Sequence, residues 1–168
     1  MRGRGIVDRG IVAFAFGVPE TIRSNQCIAE MASRKALELS APVYTQRDIR
    51  VEPGIEVMYT EEEPGNPPPT LRIARGAVRW AKKRGFVELW IVAAKPHLWR
   101  CLCDMKAAVR EAGGGIVVRA FKEIEQVPED EWFCSDSTQE RTQSREAWNK
   151  RERIVRLMPF CIYKRVAS

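Results

Sequence analysis

"FVELWIVAAKPHLWRCLCDMKAAVREAGGG", residues 86–115, is the stretch on which the fold turns. Residues 86–94 are aliphatic, aromatic or small with a single charge, and read as the strongest strand in the sequence. "KP" at 95–96 ends the run, and a proline in the first helical turn loses no hydrogen bond. Beyond it Leu98, Cys101, Leu102, Met105, Ala108, Val109 and Ala112 recur at the i, i+3, i+4, i+7 spacing of one helix face. "GGG" at 113–115 stops the helix. A strand passing through a short turn into a helix is half of a βαβ unit.

The same grammar extends in both directions. "GIVAFAFG" (10–17) reads as a buried strand, followed by the polar turn "VPETIRSNQ" and the helix formers "CIAEMASRKALEL". "APVYTQ" (41–46) is the return strand, and "IEVMY" (55–59) a short edge strand. "TEEEPGNPPPT" (60–70) is a stiff loop, because three successive prolines remove donors and fix φ. From 71 to 84 a helix puts Ile73, Ala74, Ala77, Val78, Trp80 and Ala81 on one side and Arg72, Arg75, Arg79, Lys82 and Lys83 on the other. "IVVRAF" (116–121) is a further strand and 122–139 irregular surface chain. A C-terminal helix over about 138–156 and an apolar tail, "MPFCIY", together dock on the body over about 138–163. The pattern predicts one α/β domain over 1–168: a Rossmann-like, three-layer αβα sandwich with a mainly parallel sheet.

Composition narrows the function classes. A chain of 168 residues with 45% hydrophobic content builds one core, and a net charge of +6 favours anionic partners. Five cysteines without a CxxC pair, and a single histidine, provide no zinc site of the usual kinds, so no metal is expected. Reduced thiols suit a cytoplasmic location. "MRGRG" followed by "IVAFAF" imitates a signal peptide, but an apolar run of six residues is too short to be one or to span a bilayer. No membrane partner is expected.

Ligands of open parallel sheets bind beyond the carboxyl ends of the strands, so polar residues just after strands are the candidates. After the first strand stand Glu20, Thr21, Arg23, Ser24 and Asn25, of which Arg23 and Asn25 could serve a phosphate at a helix start. Their ordinary structural role is capping. After the second strand come Thr45, Gln46, Arg47 and Asp48; Asp48 could act as a base or hold a ribose hydroxyl, or be a turn residue. His97 in the first turn of its helix, with Arg100 one turn on and Asp104 on the same flank, could line the same crevice. The helix dipole disfavours the imidazolium, leaving a neutral ring suited to acid–base work, though such a histidine can also merely bond a loop. No nucleophile motif, GxGxxG or P-loop is present. The basic face of helix 71–84 has no acids at i±3 or i±4 and would admit nucleic acid, ranked below a small ligand and below a plain solvated face.

The order of these motifs resembles the bacterial YdcF/SanA/ElyC-like family. "GIVAFAFG", "SRKALEL", "PVYTQ", "PTLRIARGAVRWA" and "LWIVAAKPHLWRCLCDMKAAVREAG" carry the resemblance, with "REAWNKRERIVRLMPFCIYKRVA" at the end. The resemblance implies functional roles for His97 and Arg100, for Thr70 in part, and for Arg34 in the first helix. It also implies a nucleotide-like or S-adenosylmethionine-like ligand, and some relatives are linked to cell-envelope or exopolysaccharide metabolism. The chain departs from the family at "FGVPET" and "TQRDI", where glycine-rich turns are usual, and at "PPTLRIA", which lacks the family's amide and acid. Those losses shift the expectation from catalysis to binding of a small anionic or nucleotide-like ligand by Arg23, Asn25, Thr45, Arg47, Thr70, His97 and Arg100. A hydrolase or transferase using His97 as acid or base, helped by Asp48, is the alternative.

Overall fold

The apolar runs pair side by side. In the computed structural model, which describes residues 8–63 and 67–167, five strands form one sheet: β1 (Arg9–Ala13), β2 (Val43–Thr45), β3 (Val57–Tyr59), β4 (Glu88–Val92) and β5 (Val117–Ala120). Their order is β3-β2-β1-β4-β5, and every neighbouring pair is parallel. The "MRGRG" weighed as a leader lies outside the described residues, as do residues 64–66 of the proline loop.

Strand residues alternate between two cores. Val12, Phe14, Tyr44, Leu89 and Ile91 pack on one side with α2 (Thr70–Arg84) and α3 (Lys95–Glu111). Ile11, Ala13, Val43 and Val92 pack on the other with α1 (Arg23–Leu39). Burial on both faces explains why the strands read as unbroken apolar runs rather than as alternations. The result is a mixed α/β, Rossmann-like sandwich of three layers.

The α1 side differs from expectation in one respect. Residues 122–142 contain only 3-10 turns, at Lys122–Gln126, Glu129–Trp132 and Glu140–Thr142, yet they are not mere surface chain. Phe121, Ile124 and Trp132 are fully buried against that face and fill the space a second helix would occupy.

The C-terminal helix, α4 (Arg145–Leu157), starts later than the Ser/Thr/Asp cluster suggested. Ser144 caps it, accepting from the Ala147 N–H at 3.2 Å. Ser137 and Thr142 are instead held to each other (Oγ···Oγ1 2.8 Å), and the Val18 N–H donates to Ser137 Oγ at 3.3 Å. A distant loop therefore claims the side chains that local pattern assigned to a cap. The tail forms α5 (Phe160–Val166), which reaches the body through Tyr163, with Ala167 just beyond it, while Phe160, Ile162 and Val166 remain exposed. Among the described residues no helix is long and apolar enough to cross a membrane.

The chain leaves β1 to one side and β4 to the other, so strand order reverses between them. The carboxyl ends of β1 and β4 frame the crevice in which such sheets take ligands.

Candidate functional site

β1 runs out through Phe14 to Gly17, and β4 through Ala93 and Ala94 into the first turn of α3. That turn delivers His97 to the crevice. A cavity of about 210 Å3 opens there, bounded by the β1 loop, the start of α2, His97 and the segment 139–167. Thr70, the first residue of α2, meets His97 with 3.1 Å between Oγ1 and Nε2. Which of the two donates depends on the tautomer.

The His97 ring stands among aromatic neighbours, with centroids 6.3 Å from Phe14, 6.0 Å from Phe16 and 5.3 Å from Trp148. It is 9% exposed, and its Nδ1 has no hydrogen-bond partner among the described residues. Burial, reinforced by the positive charges of Arg100, Arg141 and Arg151, lowers its pKa from 6.5 to about 3. The imidazole is therefore neutral across the physiological range, as its helix-start position implied, but burial and arginines are the cause. A ring with so acidic a conjugate acid is a weak base.

Arg100 lines the same cavity with its charge already matched. Its Nε and Nη2 donate to the two Glu152 carboxylate oxygens of α4, each at 2.9 Å, and the guanidinium lies 5.4 Å from the Tyr163 ring. One turn on, Tyr163 donates to Asp104 Oδ2 at 2.5 Å. Burial raises the Asp104 pKa to about 6, against the opposing effect of that bond and of Arg100 and Arg75. One turn before Arg100, Trp148 Nε1–H donates to the Pro96 carbonyl at 3.2 Å. Pro96, Arg100 and Asp104, spaced four apart on one flank of α3, thus tie down the C-terminal helices.

The remaining candidates disperse. Asn25 is fully buried; its Oδ1 accepts from the Phe16 N–H at 2.9 Å and its Nδ2 donates to the Gly17 and Pro19 carbonyls at 3.0 Å. Ser24 donates to the Phe16 carbonyl at 2.9 Å. Both shape the β1 loop. Thr45, also fully buried, donates to the Ala13 carbonyl at 2.9 Å and so links β2 to β1. Arg23 is exposed and pairs with Glu131 at 3.4 Å, while Arg47 is exposed with its guanidinium 5.5 Å from the Tyr59 ring. Arg34 is exposed on α1. Of the residues weighed in the sequence, Gln46 and Asp48, together with Thr70, His97 and Arg100, line the cavity. Burial, then Glu20, raises the Asp48 pKa.

Two cavity residues escaped sequence reading. Arg141, half-buried on the Glu140–Thr142 turn, and Arg151, exposed on α4, both line the cavity, and neither forms a salt bridge or side-chain hydrogen bond among the described residues. Burial and the charge of Arg151 lower the Arg141 pKa to about 10; burial, then Arg100, lowers that of Arg151. The only signal in the sequence was an arginine in a polar stretch and another among the many basic residues of the last helix. Neither says where its charge goes.

The α2 basic face, by contrast, is partly neutralised from outside its own helix. Arg75 meets Glu111 of α3 at 2.8 Å, and Lys82 donates to the Gly114 carbonyl. The field that seemed uncancelled along the helix is reduced by its neighbour, which weakens the case for nucleic acid. The five cysteines are free.

No known family's model matches the chain, and no curated protein does.

Proposed function

We propose that this chain is a cytoplasmic, YdcF-like domain that binds a small anionic or nucleotide-like ligand where β1 and β4 end, as a binding rather than a catalytic site. One observation carries the reading: Arg141 and Arg151 bring two positive charges to one cavity without acid partners among the described residues. Arg141, half-buried, forfeits part of its hydration without a matching charge, and the exposed Arg151 adds a second positive charge at the rim. A ligand supplying negative charge would restore the balance, as guanidinium groups do with phosphate and carboxylate. His97 and Thr70 add neutral hydrogen-bonding groups.

S-adenosylmethionine, whose sulfonium is cationic, fits this field poorly. Acid–base chemistry by His97 is disfavoured by a conjugate acid near 3.

Thermal-shift measurements with inorganic phosphate, nucleotides, sugar phosphates and S-adenosylmethionine test the reading. A ligand of the folded state raises the melting temperature by an amount that grows with the logarithm of its concentration over its dissociation constant. Anionic compounds raise it at millimolar concentration, and the shift disappears in the Arg141→Gln, Arg151→Gln double variant. Absence of a shift with every anion overturns the reading.

A further inference from the structure

The charges around the cavity can be counted group by group. Arg100 is cancelled by Glu152 in a two-pronged contact, with side chains 10% and 8% exposed. His97 is neutral, and Thr70, Gln46 and Gln139 are uncharged. Arg141 and Arg151 contribute two charges with no salt bridge among the described residues; Arg151 lowers the Arg141 pKa, and both lower that of His97. Asp48 is the one carboxyl on the cavity wall among the described residues; burial, then Glu20, raises its pKa, and it forms no salt bridge with Arg141 or Arg151. Its carboxyl and the Gln46 Nε2 make no hydrogen bond among the described residues, whereas Gln46 Oε1 accepts from the Ala15 N–H at 2.9 Å.

We propose that the ligand is a phosphomonoester, bound as its dianion with the phosphoryl group between Arg141 and Arg151. Its hydroxyl-bearing body then lies toward Gln46 and Asp48. This rests on the anion-binding reading above and narrows it.

Charge balance favours the dianion. A carboxylate or phosphodiester brings one negative charge and leaves one of the two guanidinium groups without a counter-charge. A terminal phosphoryl group brings close to two negative charges near neutral pH and three acceptor oxygens, which two guanidinium forks can share. His97 stands at the cavity wall, more than nine-tenths buried, its Nδ1 without a hydrogen-bond partner among the described residues. Gln46, Gln139 and Asp48 are side chains suited to hydroxyl groups, which a carbon skeleton such as a ribose or hexose carries and inorganic phosphate does not.

Calorimetric titration of the full chain at pH 8 with AMP, cyclic AMP, ribose 5-phosphate and inorganic phosphate is the test. AMP and cyclic AMP share one nucleoside and differ in monoester against diester. At least one of the two monoesters should bind tenfold or more tighter than cyclic AMP and tighter than inorganic phosphate. Preference for AMP or for ribose 5-phosphate then tells a nucleotide from a sugar phosphate. Arg141→Gln and Arg151→Gln should each bring the monoester down to the affinity of cyclic AMP, with an unchanged urea midpoint, because neither arginine holds a salt bridge in the fold.

Should either variant unfold, Arg141→Lys and Arg151→Lys replace it, and the ranking in the unaltered chain decides by itself. Equal affinity for AMP and cyclic AMP, with ribose 5-phosphate no tighter, overturns the dianion while leaving the anion reading standing. Binding by none of the four overturns both.

Discussion

Arg100 and Glu152 lie 52 positions apart and close a two-pronged ion pair, both contacts 2.9 Å, in the interior between α3 and α4. The pair decides two things at once. It spends the charge of Arg100 on architecture, and it holds α4 so that Arg151, one position before Glu152, borders the cavity.

A buried pair costs most when half of it is removed. Glu152→Ala leaves the Arg100 guanidinium unmatched and should lower unfolding free energy by about 3–5 kcal/mol. Arg100→Met combined with Glu152→Leu should recover most of that loss, since apolar replacements of similar volume avoid desolvating either charge. Urea unfolding of the three variants measures this. A loss below about 1 kcal/mol for Glu152→Ala would mean that the pair is no anchor.

His97 should stay neutral far into acid. Its folded pKa of about 3 lies below the ordinary 6.5, so between those values the unfolded chain takes up a proton that the folded one refuses. The stability contributed by neutral His97 is complete above about pH 6.5 and is lost as pH falls through that window. Imidazole nitrogen shifts recorded by NMR should remain those of the neutral ring at pH 5. A midpoint near 6.5 would show that the ring is hydrated.

Asp104 runs in the opposite sense. Its folded pKa of about 6 exceeds the ordinary 3.8, so the folded state holds a proton in that interval and stability declines as pH rises through it. Asp104→Asn keeps an acceptor for Tyr163 and removes the buried charge. The variant should therefore be stabilised relative to the parent more at pH 8 than at pH 5, read as the difference in urea midpoint. An equal difference at both pH values would contradict the burial of an ionised carboxyl.

Gly17 couples the β1 loop to the turn that carries Arg141. Its φ is +101°, and a Cβ there would stand 2.7 Å from Ile22 Cδ1 and Ser137 Oγ and 2.9 Å from Thr142 Oγ1. Gly17→Ala should cost about 1–3 kcal/mol in backbone strain. It should also shrink the phosphate-induced rise in melting temperature, because the displaced Ser137 and Thr142 hold the Glu140–Thr142 turn. Loss of stability with a full ligand shift would uncouple loop and site.

Much of this architecture could be read along the chain. The parallel strands, the helices between them and the position of His97 at the end of β4 follow from apolar periodicity, proline and glycine, each of which acts over a few residues. β3 is short and pairs on one side only, as "IEVMY" suggested.

Partner choice among polar groups does not follow from such signals. Asn25 and Thr45 stand after strands, where ligand groups belong, yet nearby carbonyls and N–H groups consume their bonding capacity. Arg100 looked available until Glu152 reached it, and Arg141 looked like surface until the Ser137–Thr142 contact folded its turn over the crevice. A side chain's charge is local, but whether that charge is cancelled depends on which distant carboxylate the packing of helices brings within about 3 Å. Spacing along the backbone specified the layers; only the closure of the C-terminal helices on α3 settled which cations would be spent and which left facing the cavity.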